Sequence, residues 1–174
     1  YCNALLDVSH GNLRFLEQLQ KPDHEPLIPL GSVGKLREPG ADAKSPPTSW
    51  TCIAFLVRSC EVESVTYPWD EYLLWNREKG FRWLMRANGH WTWLEPIAAG
   101  TCSFSPRAAK RGDEAFRQFQ SVYVTTDHVV GECYWEVNAG DVAVADEYVA
   151  PPRSLNVDRT DNEVTVTLGT LLEP

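Results

Sequence analysis

Apolar and polar residues alternate over short segments through most of the chain, a pattern typical of half-buried β-strands. The clearest case flanks Asn88-Gly89, where two aromatic runs of strand-like composition meet. Asn-Gly favours a two-residue type I′ turn, because both of its central residues need positive φ. The turn therefore predicts a hairpin in which Ala87 faces His90, Arg86 faces Trp91, and the later pairs follow in step.

Alternation along this hairpin gives its two faces different characters. The face predicted to be core comprises Phe81, Trp83, Met85, His90, Thr92 and Leu94. The other face is mixed and comprises Arg82, Leu84, Arg86, Trp91 and Trp93. Arginines on the mixed face can stack on its indole rings. The preceding segment, Tyr67 to Trp75, carries apolar side chains on both faces, which predicts a central strand and completes a β-meander.

The rest of the chain adds further short strands and one helix. The additional strands are predicted over Trp50–Val62, Gln120–Thr126, Gly131–Val137, Val142–Val144 and Glu163–Leu168. Residues 9–20 predict a short N-terminal helix, because leucines recur there at every third position and Pro22 ends the pattern. About eight or nine short strands with one short helix predict a mainly β chain, folded as an antiparallel barrel or sandwich.

At 174 residues the chain is expected to form one main domain. We predict an N-terminal segment over residues 1–26, which contains the helix, and a single β-rich domain over residues 27–174. Flexible loops are predicted near residues 37–49 and 105–114, where proline, glycine and charged residues concentrate.

The charge and cysteine content exclude some classes of partner. The net charge is -8 and the pI is about 5.0, with no basic stripe. Such a chain is not expected to bind nucleic acid or an anionic membrane surface. Five cysteines are scattered without any C-x-x-C motif, which favours reduced thiols and a cytoplasmic localisation.

Candidate chemistry is sparse, since the chain has no nucleophile-elbow, P-loop, zincin or dinucleotide-binding motif. Aromatic faces beside carboxylates suit an organic ammonium group. The candidate ligand-binding residues chosen on this basis are Trp69, Glu71, Arg86, His90, Trp91, Trp93, Tyr134 and Trp135. No catalytic residue, metal site or cofactor is assigned.

Several of these segments together resemble a known family, the bacterial domain of unknown function 4178 family. The resemblance lies in residues 69–74, 80–84, 89–91, 131–137, 140–141, 148–152, 163–164 and 168–169, in this order. It covers roughly Leu27 to Leu171. The family brings no established activity, so the resemblance implies no catalytic residues.

The resemblance extends to the start of the chain. Family members often follow a small zinc-ribbon-like segment with paired cysteines, and residues 1–6 look like the tail of one. Because the chain starts at Tyr1 rather than Met, it is expected to be a fragment or a processed product. Cys2 would be a solitary ligand, so a four-ligand zinc site cannot form within this chain.

Three functional hypotheses follow from the sequence. The first is a non-enzymatic interaction or accessory module that works with a protein partner or assembly. The second is a small-ligand domain that binds a cation such as a polyamine through an aromatic and acidic pocket. The third is an unrecognised enzyme that uses Glu71 or His90.

Overall fold

A computed structural model of the chain describes residues 4–7, 14–18 and 25–172. The strands in these residues are β1 Ala4–Asp7, β2 Arg14–Gln18, β3 Val33–Leu36, β4 Thr48–Val62, β5 Val65–Asn76, β6 Gly80–Ala87, β7 His90–Ile97, β8 Cys102–Ser105, β9 Ala108–Arg111, β10 Glu114–Gly131, β11 Val142–Ala150, β12 Arg153–Arg159 and β13 Val164–Leu171. A single turn of 3-10 helix spans Ala99–Thr101. The prediction of a mainly β chain is confirmed.

Eight antiparallel strands close into a barrel. Their order is β4-β5-β6-β7-β13-β12-β11-β10, and β10 returns to pair with β4. Strand β3 extends the sheet beyond β4, and the β8–β9 hairpin extends it beyond β10. Strands β1 and β2 pair only with each other among the described residues. Of the two predicted architectures, the structure therefore has the barrel.

The tryptophan meander has the predicted register. Ala87 pairs with His90 and Arg86 pairs with Trp91 across the β6–β7 turn. The turn residues Asn88 and Gly89 have φ values of 49° and 81°, as a type I′ turn requires. Strand β5 lies between β4 and β6, and its centre is buried on both faces, so the prediction of a central strand is also confirmed.

Both faces of the β6–β7 hairpin are buried, whereas the sequence predicted one core face and one mixed face. Trp83 and Leu94 face the barrel interior, while Leu84 and Trp93 belong to an apolar layer on the outside. We call this layer the outer cluster, which consists of Trp50, Cys52, Phe55, Val57, Tyr72, Leu74, Leu84 and Trp93. It is buried because residues 27–36, here called the strap, cross it and pack Ile28, Leu30 and Leu36 against it.

A β-bulge in β4 decides which side chains enter the barrel. The register against β5 shifts between Cys52 and Ala54, so one extra residue reverses the alternation there. Cys52 lies in the outer cluster, whereas Arg58 and Cys60 line the interior. The two cysteines therefore occupy opposite faces of β4 despite their even spacing.

Strand β10 forms the closing seam and is longer than predicted. It runs without a break through residues 127–128, which were expected to separate two strands. Register shifts occur between Gln118 and Gln120 against β11, and between Thr126 and His128 against β4. Such bulges bend a strand, and β10 can therefore pair with β11 along one part and with β4 along another.

Other local predictions are wrong. Arg14–Gln18 forms a strand paired with Ala4–Asp7, so these five residues of the helix predicted over residues 9–20 are not helical, and the rest of that range lies outside the described residues. A short helix is marginal in water, and the strand pairing satisfies the same backbone groups. Ala108–Arg111 forms β9 inside the loop predicted near residues 105–114. After Gly131 the chain leaves the sheet, so the strand predicted over residues 131–137 is absent.

The long loop near residues 37–49 corresponds in the structure to the connection between β3, which ends at Leu36, and β4, which begins at Thr48. Most of its residues are exposed.

Candidate functional site

A cavity of about 1600 Å³ extends from the barrel interior to solvent-exposed residues at its mouth. Ligand pockets for small molecules are typically about 300–1,000 Å³, so this space is ample for one. Three aromatic residues of the cavity wall, Tyr67, Phe119 and Tyr123, are 48%, 65% and 73% exposed. The cavity therefore opens to solvent on this side.

Residues 132–137, here called the plug, pack against the inner face of the meander. The Trp135 ring meets the Trp83 ring edge-on at 5.4 Å, and the Tyr134 ring lies 4.3 Å from that of Phe81. Trp83 also donates a hydrogen bond to the Tyr134 hydroxyl. The plug thereby supplies an aromatic wall to the cavity.

Gly131 lets the chain turn from β10 into the plug. Its φ is 104°, a conformation that residues with a side chain rarely adopt. A Cβ at this position would overlap the carbonyl oxygen of Ile53, and that same oxygen accepts a hydrogen bond from the Glu132 amide at 2.8 Å.

A buried ionic group, here called the Arg58 cluster, crosses the cavity between β4, β5 and β12. Arg58 Nη1 lies 2.8 Å from Asp158 Oδ2 and 3.3 Å from Glu71 Oε1. Trp69 Nε1 donates a hydrogen bond to the same Glu71 oxygen at 2.7 Å. The side chains of Arg58 and Glu71 are only 15% and 10% exposed, so each charge depends on the other.

The surroundings of Arg58 keep its guanidinium charged. Burial lowers the pKa of Arg58, but the negative charges of Glu71 and Asp158 outweigh that effect and raise the pKa above its usual value. Arg58 therefore already supplies a cation to two of the carboxylates of the cavity.

Glu147 is a cavity carboxylate with no cationic partner in the described part of the chain. Gln120 Nε2 donates a hydrogen bond to its Oε2 at 3.0 Å. Asn156 lies directly opposite Glu147 on β12. Burial raises the pKa of the Cys60 thiol on β4, and the negative charge of Glu147 raises it further. Burial raises the pKa of Glu147 itself, and the Gln120 hydrogen bond offsets this only in part.

Acidic residues dominate the charge of the cavity wall. Among the described residues that line it, eight are Asp or Glu, two are Arg and none is Lys. The acidic ones are Glu71, Glu136, Asp141, Asp146, Glu147, Asp158, Asp161 and Glu163. Seven aromatic residues also line it, namely Tyr67, Trp69, Trp83, Phe119, Tyr123, Tyr134 and Trp135. The wall thus combines negative potential with aromatic faces.

The structure brings four of the predicted ligand-binding residues together in this cavity. They are Trp69, Glu71, Tyr134 and Trp135. The other four, Arg86, His90, Trp91 and Trp93, do not line it. Glu71 and His90 therefore do not line the same cavity.

The residues outside the cavity have contacts of their own. Arg86 lies 5.9 Å from the Trp91 ring centre and 3.7 Å from Asp70, so the predicted stacking of arginine on indole is present. Trp93 is buried against Trp50, with ring centres 5.4 Å apart. His90 is exposed at the start of β7.

Sequence reasoning missed Arg58, Glu147 and Asp158. Arg58 interrupts the apolar run of β4, and this single charge was the available signal. Asp158 and Glu147 alternate with apolar residues on β12 and β11, which normally indicates a solvent-facing side chain. In this barrel the alternation is inverted, because the outer face is covered by the β8–β9 hairpin and the inner face is polar.

The described ranges contain no metal-binding cluster, and burial makes the thiols of two of their cysteines unreactive. No group of three His, Cys, Asp or Glu side chains there is arranged to hold a metal ion. Burial raises the pKa of Cys52 and of Cys133 to about 11, so both thiols stay protonated near neutral pH. Cys2, on which the zinc-ribbon interpretation depends, lies outside the described residues.

Within the same ranges, no helix has the length and apolar character needed to cross a membrane.

The chain belongs to the family described as Domain of unknown function (DUF4178), whose sequence model matches residues 47–174. The match contains all eight strands of the closed barrel together with the β8–β9 hairpin, and it begins after the strap. No curated protein and no solved structure matches the chain.

Proposed function

We propose that this member of the DUF4178 family is a small-molecule-binding domain and that its ligand is an organic cation held inside the barrel. The observation that carries the proposal is the composition of the residues that line the cavity: eight in the described part of the chain are carboxylates and two are arginines, and each arginine is already paired with a carboxylate. A ligand with positive charge is the complement of such a wall.

The aromatic residues of the wall favour an organic cation over a bare metal ion. Ammonium groups interact favourably with aromatic faces, and alkyl chains gain free energy by leaving water for an apolar surface. Trp69 and Trp135 supply such faces, and Val122, Val124 and Ala145 supply apolar wall between the charged groups. A linear polyamine combines both properties, and spermidine is a suitable probe.

The experiment must separate binding in the cavity from loose association with an acidic protein. The net charge of -8 attracts any polycation, but that attraction is screened beyond about 8 Å at 0.15 M salt. Calorimetric titration with spermidine at 0.15 M and 0.5 M salt, followed in parallel by tryptophan fluorescence, should show saturable binding that survives the higher salt.

A cavity-filling variant locates the site. Ala145 faces the interior opposite Val122, whereas the neighbouring Ser121 is exposed on the outside. Ala145→Phe should weaken spermidine binding at least about tenfold, and Ser121→Phe should leave it unchanged. Equal binding by both variants, or no saturable binding of any amine at millimolar concentration, would refute the proposed function.

A protein-interaction role is the second candidate, and exposed apolar side chains favour it. Val65, Phe119 and Tyr123 are exposed apolar residues, at 50%, 65% and 73% of their surface. Exposed apolar patches on otherwise polar proteins often mark interaction sites. Co-purification of a defined partner that is lost on Phe119→Ser with Tyr123→Ser would support this role, and retention of the partner would count against it.

A further inference from the structure

We propose that Glu147 is the residue that binds the ligand, and that it selects a primary or secondary ammonium over a quaternary one. This inference rests on the proposed function, since it assigns the cation to one place in the same cavity. It differs from the sequence-based choice, in which Glu71 was the candidate carboxylate.

The hydrogen bonds of the three central carboxylates distinguish Glu147. Glu71 and Asp158 both contact Arg58, so a positive charge already faces them. Glu147 instead accepts one neutral hydrogen bond, from Gln120 to Oε2. Its Oε1 accepts none from the described residues and is not among their buried unbonded atoms, so this oxygen is open to the cavity.

The residues around Glu147 favour a hydrogen-bonding ammonium. Gln120 on β10, Asn156 on β12 and Cys60 on β4 surround the carboxylate with two amides and a thiol. Quaternary ammonium groups have no N–H and are usually recognised by cages of aromatic rings. A primary or secondary ammonium can donate a hydrogen bond to Oε1 of Glu147.

Protonation of Glu147 then controls binding. Burial raises its pKa, so the carboxyl becomes fully charged only as the pH rises above the usual range for Glu. An alkylammonium has a pKa of about 10.4, so the ligand stays charged throughout this range. Affinity should therefore rise with pH through the pKa of Glu147, and bound cation should lower that pKa in return.

Other titratable groups near Glu147 do not produce the same dependence. Cys60 has a raised pKa and remains neutral below pH 8. Arg58 on β4, Glu71 on β5 and Asp158 on β12 form one ionic group, and Gln120 on β10 carries no charge. Asp146, next to Glu147 on β11, forms an ion pair with Arg159 on β12. The pH dependence in the weakly acid range is thus assigned to Glu147 and is removed when Glu147 is replaced by an amide.

The test is calorimetric titration of the full chain with spermidine between pH 5 and pH 8 at 0.15 M salt. Glu147→Gln should weaken binding about 10- to 100-fold at pH 7, the loss expected for a hydrogen bond to a charged group. It should also abolish the rise of affinity with pH. Glu78→Gln makes the same chemical change at an exposed turn residue and should match the unaltered chain.

Two further readouts keep the outcomes distinct. Choline, a quaternary probe, should bind at least about tenfold more weakly than spermidine at pH 7. Carboxyl NMR of the unaltered chain should show that spermidine lowers the pKa of Glu147. If spermidine binds equally to the Glu147→Gln variant, or choline binds as tightly, the role of Glu147 is refuted while the cavity site stands. If no amine binds the unaltered chain, the proposed function itself fails.

Discussion

Arg58 holds together the polar part of the barrel interior, because one of its nitrogens contacts two carboxylates on different strands. Removing it would leave Glu71 and Asp158 facing each other with no cation between them. Breaking a buried ion pair by deleting one partner costs about 3–5 kcal/mol, since the remaining charge stays buried. We expect Arg58→Met to lower the free energy of unfolding, measured by urea denaturation, by about 3 kcal/mol. This value is near the lower end of the range for a broken buried ion pair, because the cavity is open to solvent.

Arg77→Met is the matched control for this experiment, since Arg77 is exposed in the β5–β6 turn. It should change the free energy of unfolding by less than about 0.5 kcal/mol. Equal stability of the Arg58 and Arg77 variants would show that the Arg58 cluster contributes nothing to folding.

Replacing Glu147 should stabilise the folded chain near neutral pH, whereas replacing Arg58 should destabilise it. Its pKa is raised in the folded chain, so the folded state holds its proton more tightly than the unfolded state does. Its contribution to stability is therefore lost as the pH rises from the usual Glu range through the raised pKa. Glu147→Gln should raise the melting temperature at pH 7 and have little effect near pH 4. A variant that is less stable than the unaltered chain at pH 7 would contradict this account.

Only part of the site could be predicted at the level of residues. Glu71 was chosen as a candidate carboxylate, but its ionic partner was not identified. The partner is Arg58, because the bulge between Cys52 and Ala54 turns Arg58 inward. A bulge of one residue reverses every later side chain of a strand, and no local pattern in β4 signals it.

Among the elements, the junction between β10 and the plug is the most sharply constrained. Gly131 combines positive φ with close approach to the backbone of β4, whereas Gly112 has a φ of 59° with open space around it. Alanine at Gly112 should cost about 1–2 kcal/mol for the left-handed conformation alone. Alanine at Gly131 should cost about 1–3 kcal/mol more, because the added methyl overlaps Ile53.

The difference in the free energy of unfolding between these two alanine variants, measured by urea unfolding, separates the cost of the contact with Ile53 from the cost of the left-handed backbone conformation. Gly131→Ala should also alter the fluorescence of Trp135, which the plug carries. Equal stability of the two variants would mean that β10 and β4 can separate at Gly131 without loss.

Local elements were predicted well and distant pairings were not. The Asn88-Gly89 hairpin has the predicted register, because a two-residue turn determines which residues pair. The path of β10 depends instead on two partners, β11 and β4, that lie far from each other in the sequence. The alternation of β10 is interrupted at both bulges, so its sequence resembled two shorter segments with a break at residues 127–128.

For the whole molecule, a single strand pairing, that of β10 with β4, distinguishes a barrel from a sandwich. Both architectures place apolar residues on alternate positions of short antiparallel strands. The pairing of β10 with β4 closes the sheet, and closure creates an interior where carboxylates and an arginine face a cavity. The sequence predicted the strands of the meander, but the site exists only because strands distant in the sequence meet.

The strap lies outside the residues that match the family, yet it covers the outer cluster. We therefore expect it to contribute to the stability of the barrel. Backbone hydrogen bonds join Gly31 and Ser32 to Cys52, and the Leu27 amide donates to the Tyr72 hydroxyl. Ile28 and Leu30 are half-buried against the cluster, whereas Leu27 is 59% exposed. Replacing both half-buried residues with alanine should lower the free energy of unfolding by about 2 kcal/mol, because each loses part of its apolar burial.

Leu27→Ala is the control within the same segment, and it should change the free energy of unfolding by less than about 0.5 kcal/mol. If the double variant Ile28→Ala with Leu30→Ala is as stable as this control, the barrel does not need the strap. If it is less stable but still binds spermidine with unchanged affinity, the strap stabilises the outside of the barrel without shaping the cavity. That separation is expected, because the strap packs on the outer cluster and the proposed site faces the interior.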